Sequence, residues 1–230
     1  MSNIDGYVTE VHNFISSLSF ESPLSVSLNR KIYVGVYKYV HALLLWREAL
    51  NQAGSAVSAD AVLQFDELLS DLASTQVLAL GGLYKPARMM MRSSVENMLR
   101  VIALEQGFVT SGAKFTFELI TLVKASALAD ANSPVRSDLS SIVDSYSALC
   151  VYTHAASEEF LSLRVPMRTI SHFDQSEFED LFSEMKNLAQ RYNRLIYRMY
   201  HKELARIAPK SQDFILDALP KKLKGFVSAI

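Results

Sequence analysis

Between Phe178 and Met199 the apolar residues return every third or fourth position. Phe178, Leu181, Phe182, Met185, Leu188, Ala189, Tyr192, Leu195, Ile196 and Met199 share one arc of a helix, and Arg191, Arg194, Arg198 and His201 share the opposite one. A helix divided in this way is stable only if its apolar arc is covered by other elements. The same period runs through nearly every other stretch, and none shows a run of strict apolar–polar alternation. The chain therefore reads as all-α, a single-domain bundle of about seven helices spanning residues 1–230.

Punctuation sets the expected boundaries. A first helix covers residues 3–18, with Ile4, Val8, Val11, Phe14 and Ile15 inward. A second covers 26–52 and closes at Gly54, with Val34, Tyr37, Val40, Leu44 and Trp46 among its apolar residues; Gly35 inside it predicts a close helix contact. Ser58 caps a third that ends at Gly81 and Gly82, with Val62, Phe65, Leu68, Leu69 and Leu72 on one side. The fourth lies between Leu83 and Gly107, with Pro86 near its start. A fifth runs from 113 to 129, and Ser133 with Pro134 opens a sixth that reaches 163. Asp174 and Glu177 have capping-box spacing and open the seventh, which extends to about Ile207. Short helices after Pro209, divided by Pro220, end the chain. No linker or repeat marks a second domain.

Length and composition narrow the class. At 230 residues, half of them hydrophobic, a fifth charged, and with only 8 Gly and 6 Pro, the chain can bury a sizeable core and does not read as disordered. Its uncharged runs, such as residues 39–46, are far shorter than the roughly 20 residues of a membrane span. The acidic N-terminus, MSNIDGYVTEVHNF, lacks the pattern of a secretion signal, and the single cysteine, Cys150, suits a reducing compartment. These features predict a soluble cytoplasmic protein. Charge is uneven: from Lys186 to Lys224 ten Lys and Arg face three acids, a net +7, so the remainder carries −8 within a total of −1. Such polarity suits a nucleic-acid-facing end, or oppositely charged halves that attract each other within or between chains.

The fourth helix carries the densest chemistry. Arg88, Arg92, Glu96 and Arg100 recur every fourth residue, while Met90, Met91, Val95, Met98, Leu99, Val101 and Ile102 occupy most of the other side. Two arrangements satisfy this stripe. One is a solvated ladder of ion pairs worth a few tenths of a kcal/mol each. The other is a partly buried polar wall under another helix, where Glu96 pairs only one or two arginines and an unpaired arginine seeks an anion. On the seventh helix the arginine arc, with Tyr197 beside it, reads either as a solvated back or as a surface that tracks phosphates and stacks on bases. His154 lies near Ser147, Cys150 and Glu158, either as a satisfied core histidine or as a proton carrier facing Arg92. No HExxH, CxxC pair, P-loop, GxGxxG or GxSxG occurs, and the histidines are scattered, so neither a cofactor nor a dedicated metal site is expected. Asp60, Asp66, Glu67 and Asp71 on the third helix would bind a metal only with ligands from elsewhere.

RMMMRSSVENMLRVIALE, followed some fifty residues later by YSALCVYTHAASEE, resembles the HEPN-like helical bundles, particularly the divergent branches of prokaryotic defence and toxin systems; the resemblance covers roughly residues 80–210. It implies a bundle of long helices that commonly forms a homodimer and, in active members, a metal-independent ribonuclease. In those, an Arg and a His four to six residues apart meet their copies across the dimer. Here Arg194 and His201, with six residues between them, match that spacing counted as intervening residues, and Leu195 stands where active members carry a polar residue. The resemblance thus implies a protein that acts on or binds RNA, using Arg194 with His201 or the group Arg92, Glu96 and His154, with Arg88, Arg100, Arg191 and Arg198 as further ligand contacts. The alternatives are a non-catalytic accessory subunit that docks a protein encoded nearby, and a sensor of a small anionic ligand.

Overall fold

The computed structural model describes residues 26–108, 115–154 and 172–224, together with residue 23. The expected first helix over residues 3–18 lies outside the described residues, as does Glu158. All regular structure among the described residues is helical. The order is α1 (Ser27–Gln52), α2 (Ala59–Leu80), α3 (Tyr84–Glu105), α4 (Thr116–Lys124), α5 (Arg136–His154), α6 (Gln175–Tyr200), α7 (Pro209–Asp217) and α8 (Lys221–Lys224). No described helix is long and apolar enough to cross a membrane.

Local chemistry explains most of the boundaries. The Ser58 hydroxyl accepts from the Ala61 amide at 3.4 Å and opens α2. Gly82 ends it at φ +70°, where a Cβ would stand 2.6 Å from the His172 carbonyl oxygen, so this turn demands glycine on two counts. The Leu83 amide then donates back to the Leu78 carbonyl at 2.8 Å and completes the reversal into α3. Gly107 repeats the device at the other end of α3, with φ +68° and a 2.9 Å bond from the Phe108 amide to the Ala103 carbonyl. Asp174 caps α6 through a 3.0 Å bond from the Glu177 amide. Tyr84 joins the starts of α3 and α6, because its hydroxyl donates to the Asp174 carbonyl at 2.8 Å and accepts from the Asp174 amide at 2.9 Å.

Three expectations are corrected. The fifth helix is shorter than its apolar pattern predicts, being divided into α4 and a 3-10 turn, Ala127–Ala129. Between them the Ser126 hydroxyl bonds the Val123 carbonyl at 2.7 Å, a local contact that competes with helix propagation. Ser133 does not cap α5: its hydroxyl is buried without a partner, and a turn bonding the Arg136 amide to the Ser133 carbonyl precedes the helix. The seventh predicted helix leaves α geometry at Tyr200 and continues as a 3-10 turn, His201–Arg206, which still turns Leu204 inward. Gly35 makes no close helix contact among the described residues, none of which lies within 4 Å of where its Cβ would be. It borders an open groove between α1 and α6 instead.

α3 is the centre of the molecule. It pairs most extensively with α2 and also touches α4, α5 and α6, while α1 crosses α6 and α2. Met91, Val95, Met98, Leu99 and Ile102 on α3 are fully buried beside Trp46, Phe65, Phe178 and Tyr192. Each such side chain contributes about 1.5–3 kcal/mol by leaving water. A few buried polar bonds fix the register. The Ser94 hydroxyl donates to the Met91 carbonyl at 2.7 Å, leaving the Tyr192 hydroxyl to donate to Ser94 across 3.2 Å. Asn193 on α6 donates to the Tyr39 carbonyl of α1 at 3.0 Å.

Candidate functional site

The arginine stripe of α3 lies partly under α5. Arg88 is buried; its Nη1 donates to Glu177 on α6 at 2.7 Å, and its guanidinium stands 4.5 Å from the Tyr152 ring centroid. Arg92 donates from Nε to Glu96 at 3.1 Å and stands 5.7 Å from the ring centroid of Tyr146. Arg100 is half-buried farther along. The semi-buried arrangement is therefore the one adopted, but with a different remainder: Arg88 and Arg92 each have a carboxylate, so neither waits for an anion.

The uncommitted group is an acid instead. Where α3, α5 and α6 meet, a cavity of about 120 Å³ is lined by Met91 of α3, Leu149 and Tyr152 of α5, and Glu184, Asn187 and Arg191 of α6. Glu184 is among the lining residues, and its Oε2 is buried without a hydrogen-bond partner among the described residues, as is the Nε of Arg88 outside the lining. An acceptor left unmet in this way costs about 1–3 kcal/mol. Burial pushes the Glu184 carboxyl above its ordinary range; Arg88 opposes the shift, and Asp180 and Glu177 add to it. Arg191, half-buried two turns along α6, makes no ion pair or hydrogen bond among the described residues. The sequence does carry a trace of this site. Glu184 and Arg191 fall at the same edge of the α6 apolar arc, where a polar side chain meets the neighbouring helix rather than open water.

The residues expected to cleave RNA are arranged differently. Arg194 binds Asp138 of α5 through two bonds, Nε to Oδ2 at 2.8 Å and Nη2 to Oδ1, in a forked pair from which most water is excluded. Arg194 thus ties α6 to α5 and does not stand open beside His201, which begins the 3-10 turn with its ring 6.1 Å from that of Tyr197. Tyr197 is no stacking platform: it is 3% exposed and meets Trp46 edge-on at 6.4 Å. Arg198, in contrast, is exposed and unpaired among the described residues. His154 is the last residue of α5, and its side chain lies outside the described residues, as does its expected approach to Arg92.

Two of the four acids of α2 are already engaged, Asp66 by Arg47 at 3.0 Å and Asp71 by Asn97 at 2.8 Å. Burial nonetheless raises the Asp71 carboxyl above its ordinary range. Among the described residues no group of three or more His, Cys, Asp or Glu is placed to hold a metal ion. No family model, curated protein or solved structure matches the chain.

Proposed function

We propose that this chain is a HEPN-like RNA-binding bundle of a stress or phage-defence system, which holds single-stranded RNA along α6 and does not cleave it at Arg194 and His201. The observation that carries the reading is the pair Arg191 and Arg198. They stand two turns apart on one side of α6 without a carboxylate partner among the described residues, whereas Arg88, Arg92 and Arg194 are each closed on an acid. Unpaired guanidinium groups on a rigid helix bind phosphates without first breaking an internal bond. The fork between Arg194 and Asp138 weighs against catalysis, since Arg194 would have to abandon a mostly buried aspartate to reach a phosphate.

The test is fluorescence anisotropy with a short labelled single-stranded RNA in EDTA, starting at about 50 mM salt. Wild type is expected to bind and leave the RNA intact. Replacing both Arg191 and Arg198 by Ala should weaken binding about tenfold or more and flatten the slope of log affinity against log salt by about 1.4, or 0.7 for each phosphate contact. Failure of wild type to bind overturns the reading. Cleavage that disappears in His201→Ala restores the ribonuclease in its place.

A further inference from the structure

We infer that the outward face of α1 is the seat of the chain's own N-terminal segment, residues 3–18, packed on it as an antiparallel helix. The inference stands apart from the RNA-binding reading and does not depend on it.

The inward side of α1 is accounted for, since Val36, Val40, Leu43 and Trp46 are buried in the core. The opposite side should be polar, but it is not. Val26, Val34, Tyr37 and Leu44 are 49%, 57%, 42% and 41% exposed. Single exposed apolar side chains are ordinary on a protein surface. These four are not scattered, because at about 100° per residue they fall within roughly 80° of one another around the helix. They are also four of the ten large hydrophobic residues exposed among the described residues, so one line on one helix holds much of that surface. Positions 34, 37, 41 and 44 advance by alternating steps of three and four, the spacing of a seam between helices. Rings on this side are already ordered: Tyr37 stacks between Tyr33 and His41, with centroids 6.1 and 5.8 Å away. α7 reaches the face at one point, where Phe214 meets His41 edge-on at 4.7 Å. A helix that is apolar on both sides is one that is covered on both.

Three observations select the occupant. The first is where the chain comes from. Pro23 is buried and its carbonyl accepts from the Asn29 side chain at 3.0 Å, so the residues that precede α1 start beside its first turn. A helix over residues 3–18 is about 24 Å long, against about 27 Å from Val26 to Leu44. Residues 19–25 then form a connection of ordinary length for antiparallel neighbours. The second is pattern. Ile4, Val8, Val11, Ile15 and Leu18 advance by the same alternating steps, and reversing the chain about that connection sets Val11 against Val34 and Val8 against Tyr37. The third is charge. Residues 1–22 contain Asp5, Glu10 and Glu21 and no Lys or Arg, a charge of −3, whereas residues 26–46 contain Arg30, Lys31 and Lys38 and no acid, a charge of +3. A second copy docked by the same face would instead bring those cations against their own counterparts.

Two measurements on the full chain test the inference. In the first, Cys150 is replaced by Ser and Val11→Cys is combined with Val34→Cys. A short bismaleimide should join the two new thiols within one chain, giving a shifted monomer band in denaturing electrophoresis that neither single variant gives. The second is urea unfolding followed by circular dichroism. Val34→Asn is neutral and matches valine closely in helix propensity, so on a bare surface it would leave the midpoint where it is. Beneath the segment it should lower the midpoint. Val11→Asn should lower it as well, and the double variant should fall no further than the weaker of the two singles, because each alone already releases the same contact. Unchanged midpoints, losses that simply add, or the absence of a cross-link within the chain overturns the inference; a cross-link formed only between chains would also overturn it and assign the face to a second copy.

Discussion

Glu184 shows how one side chain links stability to chemistry. Its carboxyl belongs to α6 but is enclosed by α3 and α5, and burial favours the protonated form in the folded protein. The folded state therefore holds more protons than the unfolded state between the ordinary value of 4.5 and the raised folded value. Stability from this group is fully present below the unfolded value and is lost as pH rises through the folded one. Wild type should accordingly gain melting temperature relative to Glu184→Gln as pH is lowered from about 7 to about 5. Asp71, also raised by burial, is common to both proteins and cancels in the difference. A difference that does not change with pH would remove burial as the cause. In the sequence Glu184 is one acid among several on a long helix. Its position at the edge of the apolar arc could be read there, but the missing hydrogen-bond partner could not, because the absence depends on what α3 and α5 bring to it.

The hairpin of α2 and α3 makes the corresponding point for elements. Gly82 and Gly107 both adopt positive φ, at +70° and +68°, so each is costly for any other L-residue. Among the described residues, Gly82 also has a neighbour in the way, the His172 backbone, and none lies within 4 Å of a Cβ on Gly107. Gly107→Ala should then cost about 1 kcal/mol, the conformational penalty alone, and Gly82→Ala clearly more, because a backbone carbonyl must also move. Chemical denaturation of the two variants measures the difference, and equal costs would mean that the contact at His172 yields freely. Both glycines were legible as helix stops from their place after an apolar run. That one of them also seats a segment ninety residues away was not, since local sequence contains no information about which distant strand of backbone will pass.

At the scale of the whole molecule, one contiguous core runs from Val36 to Leu223 and takes in side chains from α1 to α8. Trp46, the single tryptophan, is fully buried in it against Tyr197. Its fluorescence should therefore change in one transition that coincides with loss of helical circular dichroism in urea, and two separated transitions would divide the core into independent units. The amino-acid order by itself determined that the described residues are helical, where most of their helices begin and end, and which arc of α2, α3 and α6 faces inward, whereas Val34, Tyr37 and Leu44 of the apolar residues in α1 are exposed. Those properties follow from a period of 3.6 residues and from caps whose partners lie within a few positions. Tertiary structure alone decided how the charges were distributed: Arg88 went to Glu177, Arg194 to Asp138, and Glu184 was left without an ion-pair partner among the described residues. An ion pair between helices depends on the distance and angle at which they cross, and these are set by the packing of the apolar arcs rather than by the spacing of the charged residues along the chain.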